Sequence, residues 1–188
     1  MSLRVVFELD DDDLQHLHKI MQQAQAAAQD KGEDEIISMC QGMLKDVSET
    51  KAPAFIQERM TILARMVDMM LDKTWALPEP ERANVVNALA YFANPEDLIP
   101  DHIPGLGFLD DAILIELIAR ELKPELDAFH DFSAFRATEA KRRNLDISEV
   151  GREEWLASQR QQLISRMRRR RRGRGGNSGG GRQAFSLW

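Results

Sequence analysis

The sequence has one cysteine in 188 residues, Cys40, and this excludes an internal disulfide. A reducing cytosol is the simplest compartment for such a chain. No run approaches the roughly 18 consecutive apolar residues that a membrane-spanning helix needs. No basic stretch followed by an apolar block stands near Met1, so no secretory signal is expected. Motifs of nucleophilic and zinc catalysis are missing too: there is no GxSxG, no HExxH and no paired CxxC. Gly105-Leu106-Gly107 is not a phosphate loop, because no strand precedes it and no Lys-Ser/Thr follows. His16 and His18 are two apart on a helix and face nearly opposite ways, and His130 has no nearby partner in the chain. These absences point away from an enzyme, and no cofactor is expected. No internal repeat is visible.

What is present is helical patterning. The content is 43% apolar and 30% charged, enough for one domain with a real core and a charged surface. Asp10 is placed to cap a first helix in which Leu14, Leu17, Met21, Ala24 and Ala28 recur at helical spacing, with Gly32 as its end. Ile36, Ile37, Met39, Cys40, Met43 and Leu44 mark a second helix. Ile56, Met60, Leu63, Met66, Val67, Met70 and Leu71 mark a third, running on to Trp75. Such methionine-rich stripes are usually adaptable core, with an exposed partner groove as the alternative. A helix through Val85 and Leu89 leads into a proline-rich stretch. Beyond it, Ala112 to Leu122 is apolar nearly all round and reads as the most buried helix. Lys123-Pro124 breaks or kinks it, and Leu126, Phe129, Phe132 and Phe135 carry on the pattern. Trp155, Leu156, Leu163, Ile164 and Met167 mark a last helix that frays into an arginine run. The expected fold is all-α, a small bundle of about seven helices, with Leu3–Leu9 as a short strand or extended arm and a disordered C-terminal tail. The domain reading is a helical body over 1–165 and a tail over 166–188.

Residues 91–111 read YFANPEDLIPDHIPGLGFLDD. Pro95, Pro100 and Pro104 push the residues before them away from the α region, so the preceding helix should stop near Ala93. A new helix should begin near Phe108, with Asp110 and Asp111 in its first turn, where the helix dipole favours carboxylates. Leu98, Ile99, Ile103, Leu106 and Phe108 are too apolar for an exposed loop, so the loop should tuck between two helices. In order, the stretch gives an aromatic pair (Tyr91-Phe92), Pro95, Asp97-Leu98-Ile99-Pro100-Asp101, Ile103-Pro104, Gly107, an aromatic and Asp110-Asp111. This pattern resembles the signature of the YkvA-like bacterial domain of unknown function, with the YkvA-like segment at about residues 80–122. A weaker resemblance, to a longer bacterial subgroup, runs from Leu3 to Arg136 and leaves the tail outside. The resemblance implies an architecture but no settled activity. It also implies membrane association, since many relatives are described so and carry a more continuous apolar segment after the Asp-Asp. Here Glu116, Arg120 and Glu121 interrupt that segment.

Two groups of residues are candidates for function. Asp97, Asp101, Asp110 and Asp111 are oxygen donors of the kind that bind Mg²⁺, Mn²⁺ or Ca²⁺, although their spacing is not that of an EF-hand. Capping of helix ends and bonding to loop amides is the simpler role for them. The second group is the tail. Arg166, Arg168, Arg169, Arg170, Arg171, Arg172, Arg174 and Arg182 stand among glycines, and Phe185 and Trp188 close the chain. No acid occurs from Arg166 onward, so all 31 acidic residues but only 17 of the 25 basic ones precede it, and the body carries −14 within a total of −6. An acidic body with a basic tail suggests an anionic partner. Arginine pairs bidentately with phosphate, and guanidinium groups and rings stack on unpaired bases. With all eight arginines on the phosphates of a single strand, the salt slope would reach at most about −6. The preferred expectation is a cytoplasmic, non-enzymatic binding or adaptor protein whose tail contacts RNA or an RNA-rich assembly. The alternatives are a peripheral membrane protein using the basic-aromatic tail at an anionic surface, a tail that aids solubility or docks on its own body, or, last in order, a metal-dependent activity at Asp97, Asp101, Asp110 and Asp111.

Overall fold

The computed structural model describes residues 8–28, 30–93, 103 and 107–175. Among them are seven α-helices and no strand: α1 Asp11–Ala27, α2 Glu33–Glu49, α3 Ala54–Leu71, α4 Glu79–Leu89, α5 Leu109–Glu121, α6 Lys123–Arg143 and α7 Arg152–Gly175. Short 3₁₀ turns follow α4 at Ala90–Ala93 and precede α7 at Ile147–Glu149. The all-α bundle is the expected fold. Of the strand or arm at Leu3–Leu9, residues 3–7 lie outside the described residues.

The described residues fall into two compact units, the first ending at Asp131 and the second beginning at Phe132. In the first, α1 opens on a capping box. The Asp10 carboxylate accepts from the Asp12 and Asp13 amides at 3.0 Å each, and Asp13 accepts in return from the Asp10 amide at 3.2 Å. Helix α1 ends earlier than its periodicity suggests, at Ala27. Gly32 is not its end but the N-cap of α2, its backbone extended and its carbonyl accepting from Ile36 at 3.1 Å.

Helix α3 lies at the centre of this unit, packed on α2 and on α5. Its Ile56, Leu63, Met66, Met69 and Met70 are buried together with Ile36, Ile37 and Cys40 of α2, Val85 and Leu89 of α4, and Leu114, Ile115 and Ile118 of α5. Each such side chain contributes about 1.5–3 kcal/mol of burial. The methionines of α3 are therefore core and not an exposed groove. Leu71 departs from its expected place on the apolar face and is exposed, whereas Met69 is fully buried. After α3 the Asp72 carboxylate accepts from the Thr74 amide (2.9 Å), the Thr74 hydroxyl (2.7 Å) and the Trp75 amide (3.0 Å). That turn seats Trp75 in the core, its ring 5.7 Å from that of Phe129.

The second unit pairs the later part of α6 with α7. Phe132 and Trp155 meet edge to face at 6.2 Å, and Arg143 bridges to Glu154 at 2.9 Å. Asn144 ends α6 in the left-handed region (φ 54°), with the Leu145 amide donating back to the Ala140 carbonyl at 3.0 Å. This is a Schellman closure, and asparagine is one of the few residues that take its left-handed position readily. Asp146 then caps the 3₁₀ turn through the Ser148 amide at 2.8 Å. Helix α7 runs past Ser165, the boundary drawn from composition, and ends at Gly175. Residues 176–188 lie outside the described residues.

Candidate functional site

The first candidate is the joint between α4 and α5. Helix α4 begins after Pro78, with Pro80 in its first turn, where a missing amide hydrogen costs nothing. It tightens at its C-terminus into the 3₁₀ turn Ala90–Ala93, whose residues are all buried. Tyr91 and Phe92 meet edge to face with ring centroids 5.1 Å apart. The Cys40 thiol donates to the Leu89 carbonyl at 3.9 Å. Burial pushes that thiol's pKa up to about 12, which keeps it protonated and unreactive at neutral pH.

On the far side of the joint the Gly107 amide donates to the Ile103 carbonyl at 2.8 Å. Phe108 is the N-cap of α5 in left-handed backbone, φ 63° and ψ 14°. Its ring is buried. Asp110 and Asp111 follow in the first turn of α5 and are only 4% and 2% exposed. Their place at the positive end of the helix dipole is the expected one. Of the other motif residues, Tyr91 is buried in the 3₁₀ turn and Gly107 in the turn before α5. Pro95, Asp97, Pro100, Asp101 and Pro104, and with them two of the four candidate metal-binding aspartates, lie outside the described residues. Among the described residues no group of three or more His, Cys, Asp or Glu side chains is placed to hold a metal ion.

Charged contacts hold the helices around this joint. Arg82 of α4 donates from Nε to Glu33 Oε2 of α2 at 2.9 Å, pairs through Nη2 with Glu33 Oε1, and reaches the Met70 carbonyl at 3.3 Å. The Glu33 carboxylate holds the Arg82 guanidinium more firmly protonated than usual. Arg59 of α3 pairs with Glu116 of α5 at 3.1 Å, its guanidinium 4.2 Å from the centre of the Phe55 ring. Glu116 therefore does not merely interrupt an apolar run, because it fastens α5 to α3. His18 of α1 spans from the Leu14 carbonyl (2.8 Å) to Glu121 of α5 (3.1 Å). Sequence reading missed all three pairs, whose partners stand 49, 57 and 103 residues apart, beyond any local spacing rule.

The second candidate is the arginine run. Arg166, Arg168–Arg172 and Arg174 all lie on the helical backbone of α7, which is continuous from Arg152. Arg182, Phe185 and Trp188 lie outside the described residues.

Comparison with known proteins falls on the first candidate. Residues 82–117 match the family described as "Protein of unknown function (DUF1232)". The chain contains a YkvA-like domain of unknown function. A relative from Bacillus subtilis (strain 168), "Uncharacterized membrane protein YkvA", is 48% identical over 42 residues, 22% of this chain and 40% of the relative. The match to this relative thus spans well under half of its length. No solved structure matches the chain. The YkvA-like segment corresponds to α4, the joint and most of α5. No described helix is long and apolar enough to cross a membrane.

Proposed function

We propose that this YkvA-like protein is a non-enzymatic binding or adaptor protein that holds RNA or another polyanion through Arg166, Arg168–Arg172, Arg174 and Arg182, with Phe185 and Trp188 as stacking surfaces. The observation that carries this reading is the charge split. Eight arginines follow Ser165 without one acid, behind a body of −14. Arginine forks match phosphate oxygens two at a time, and the acidic body repels the same phosphates. Contact is therefore confined to the C-terminal segment, and the body is left for another partner.

The test is binding of a fluorescently labelled RNA across a salt series. The probes are the full chain, a full chain with each of Arg168–Arg172 changed to Gln, and a chain ending at Ser165. The full chain is expected to bind with a steep salt dependence. Removing five phosphate contacts should flatten the slope by about 3 to 4 in log–log terms, and the shortest chain should not bind. RNA affinity that survives loss of the arginines overturns the reading.

An anionic membrane surface is the second reading. It is favoured by the similarity to a relative whose printed name calls it a membrane protein, and by the aromatics that follow the arginines.

A further inference from the structure

Trp155 of α7 is buried and meets Phe132 of α6, but from Arg160 to Ser165 every residue of α7 is exposed. Of the eight large apolar side chains exposed among the described residues, five stand in this second unit: Leu145, Ile147, Leu156, Leu163 and Ile164. The last three are 47%, 57% and 38% exposed, and they are not scattered. At about 100° per residue, Glu153, Leu156, Arg160, Leu163 and Ile164 fall within an arc of about 100° on α7, and Trp155 falls outside it. The first four are spaced by three, four and three residues, the spacing by which helices meet along a coiled-coil seam.

We infer that this stripe is a docking surface for a second copy of the chain, with the two α7 helices antiparallel. The charges on the stripe select both the occupant and its direction. Glu153 and Arg160 are both exposed and stand on either side of Leu156 along the stripe. In an antiparallel pair centred on Ser158, Glu153 of one copy comes within about 4.5 Å along the axis of Arg160 of the other. The same register brings Leu156 of one copy within about 4.5 Å along the axis of Leu163 of the other, so the apolar and the charged contacts form together. Each contact occurs twice, and the stripe is complementary to itself, as a two-fold interface requires. A parallel pair in register would set Glu153 against Glu153 and Arg160 against Arg160, and like charges so placed oppose association.

Each copy contributes three apolar side chains, one acid and one base. Such an interface is at the small end of the range, and the pair is a weak one that forms as concentration rises. The long Arg160 side chain can cover the leucines with its stem while its guanidinium reaches the carboxylate. The inference goes beyond the polyanion reading and does not rest on it, since none of the five residues of the stripe belongs to the arginine run.

The experiment is sedimentation equilibrium of the full chain from about 1 μM to about 1 mM. The average mass should rise with concentration toward that of a dimer. Leu163→Glu should abolish the rise, whereas Gln162→Glu, which adds the same charge on another face of α7, should leave it unchanged. Because Leu163 is exposed, Leu163→Glu should melt with the wild type at the dilute end, where both are monomers. Charge exchange reads the direction. Glu153→Arg and Arg160→Glu should each weaken association several-fold, and the double exchange should restore it to within about twofold. A parallel pair already holds like charges at both levels and would not respond to either single exchange. Unchanged association in the single exchanges, or no recovery in the double one, therefore overturns the antiparallel pairing. A chain that stays monomeric at every concentration overturns the inference outright, as does a Leu163→Glu chain that still pairs.

Discussion

At the scale of the residue, His18 illustrates how a half-exposed group joins distant parts of the chain. Both of its ring nitrogens face acceptors, the Leu14 carbonyl and the Glu121 carboxylate, and only the protonated ring can donate to both. The backbone hydrogen bond to Leu14 and then the bond to Glu121 raise its pKa above the ordinary 6.5. A raised folded-state pKa stabilises the fold fully below the unfolded value and ceases to do so as pH rises through the folded one. Both partners are about half exposed, so the effect is a few tenths of a kcal/mol. His18→Gln should accordingly melt below the wild type at pH 5.5 and together with it at pH 9, as followed by thermal denaturation. A gap that widened toward high pH would contradict this ion pair.

At the scale of the element, the joint at Phe108 sets two large effects against each other. Left-handed backbone costs a non-glycine residue about 1–2 kcal/mol, and glycine would relieve it. The buried Phe108 ring is worth more, since removing a phenylalanine side chain from a core costs about 3–5 kcal/mol. Phe108→Gly should therefore be destabilised by about 2–3 kcal/mol in urea unfolding, despite the better backbone fit. A neutral or stabilised Phe108→Gly would mean that the ring contributes little. Much around this joint was legible beforehand. The prolines placed the end of α4, the aspartates placed the start of α5, and Asp10 placed the start of α1, because each acts through backbone geometry or local hydrogen bonds. Gly32 was misplaced because a glycine between two helices serves the second as readily as the first. Leu71 was misplaced because an apolar residue in the last turn of a helix can lie beyond the reach of the core. Of the candidate site, composition found the arginines but not their helical backbone, since Arg is a good helix former only when its neighbours do not repel it.

At the scale of the whole molecule, the arginine-rich end of α7 also bears on how the protein would meet a membrane. A helix that lies in the lipid interface needs apolar residues, and residues 168–174 are six arginines and one glycine, which supply none. Attraction to lipid is then electrostatic, at about 1 kcal/mol per arginine near an anionic surface and screened within a Debye length. The full chain should not float with phosphatidylcholine vesicles. With phosphatidylserine-containing vesicles it should float at low salt and be released at about 0.5 M salt, where the Debye length is well under 8 Å. Lipid headgroups and RNA phosphates would engage the same arginines, so added RNA should displace the protein from anionic vesicles in proportion to occupancy. Flotation with neutral lipid, or flotation that persists in high salt or excess RNA, would instead place an apolar anchor elsewhere in the chain. The YkvA-like segment, which matches a relative named as a membrane protein, would then be the first place to test by substitution.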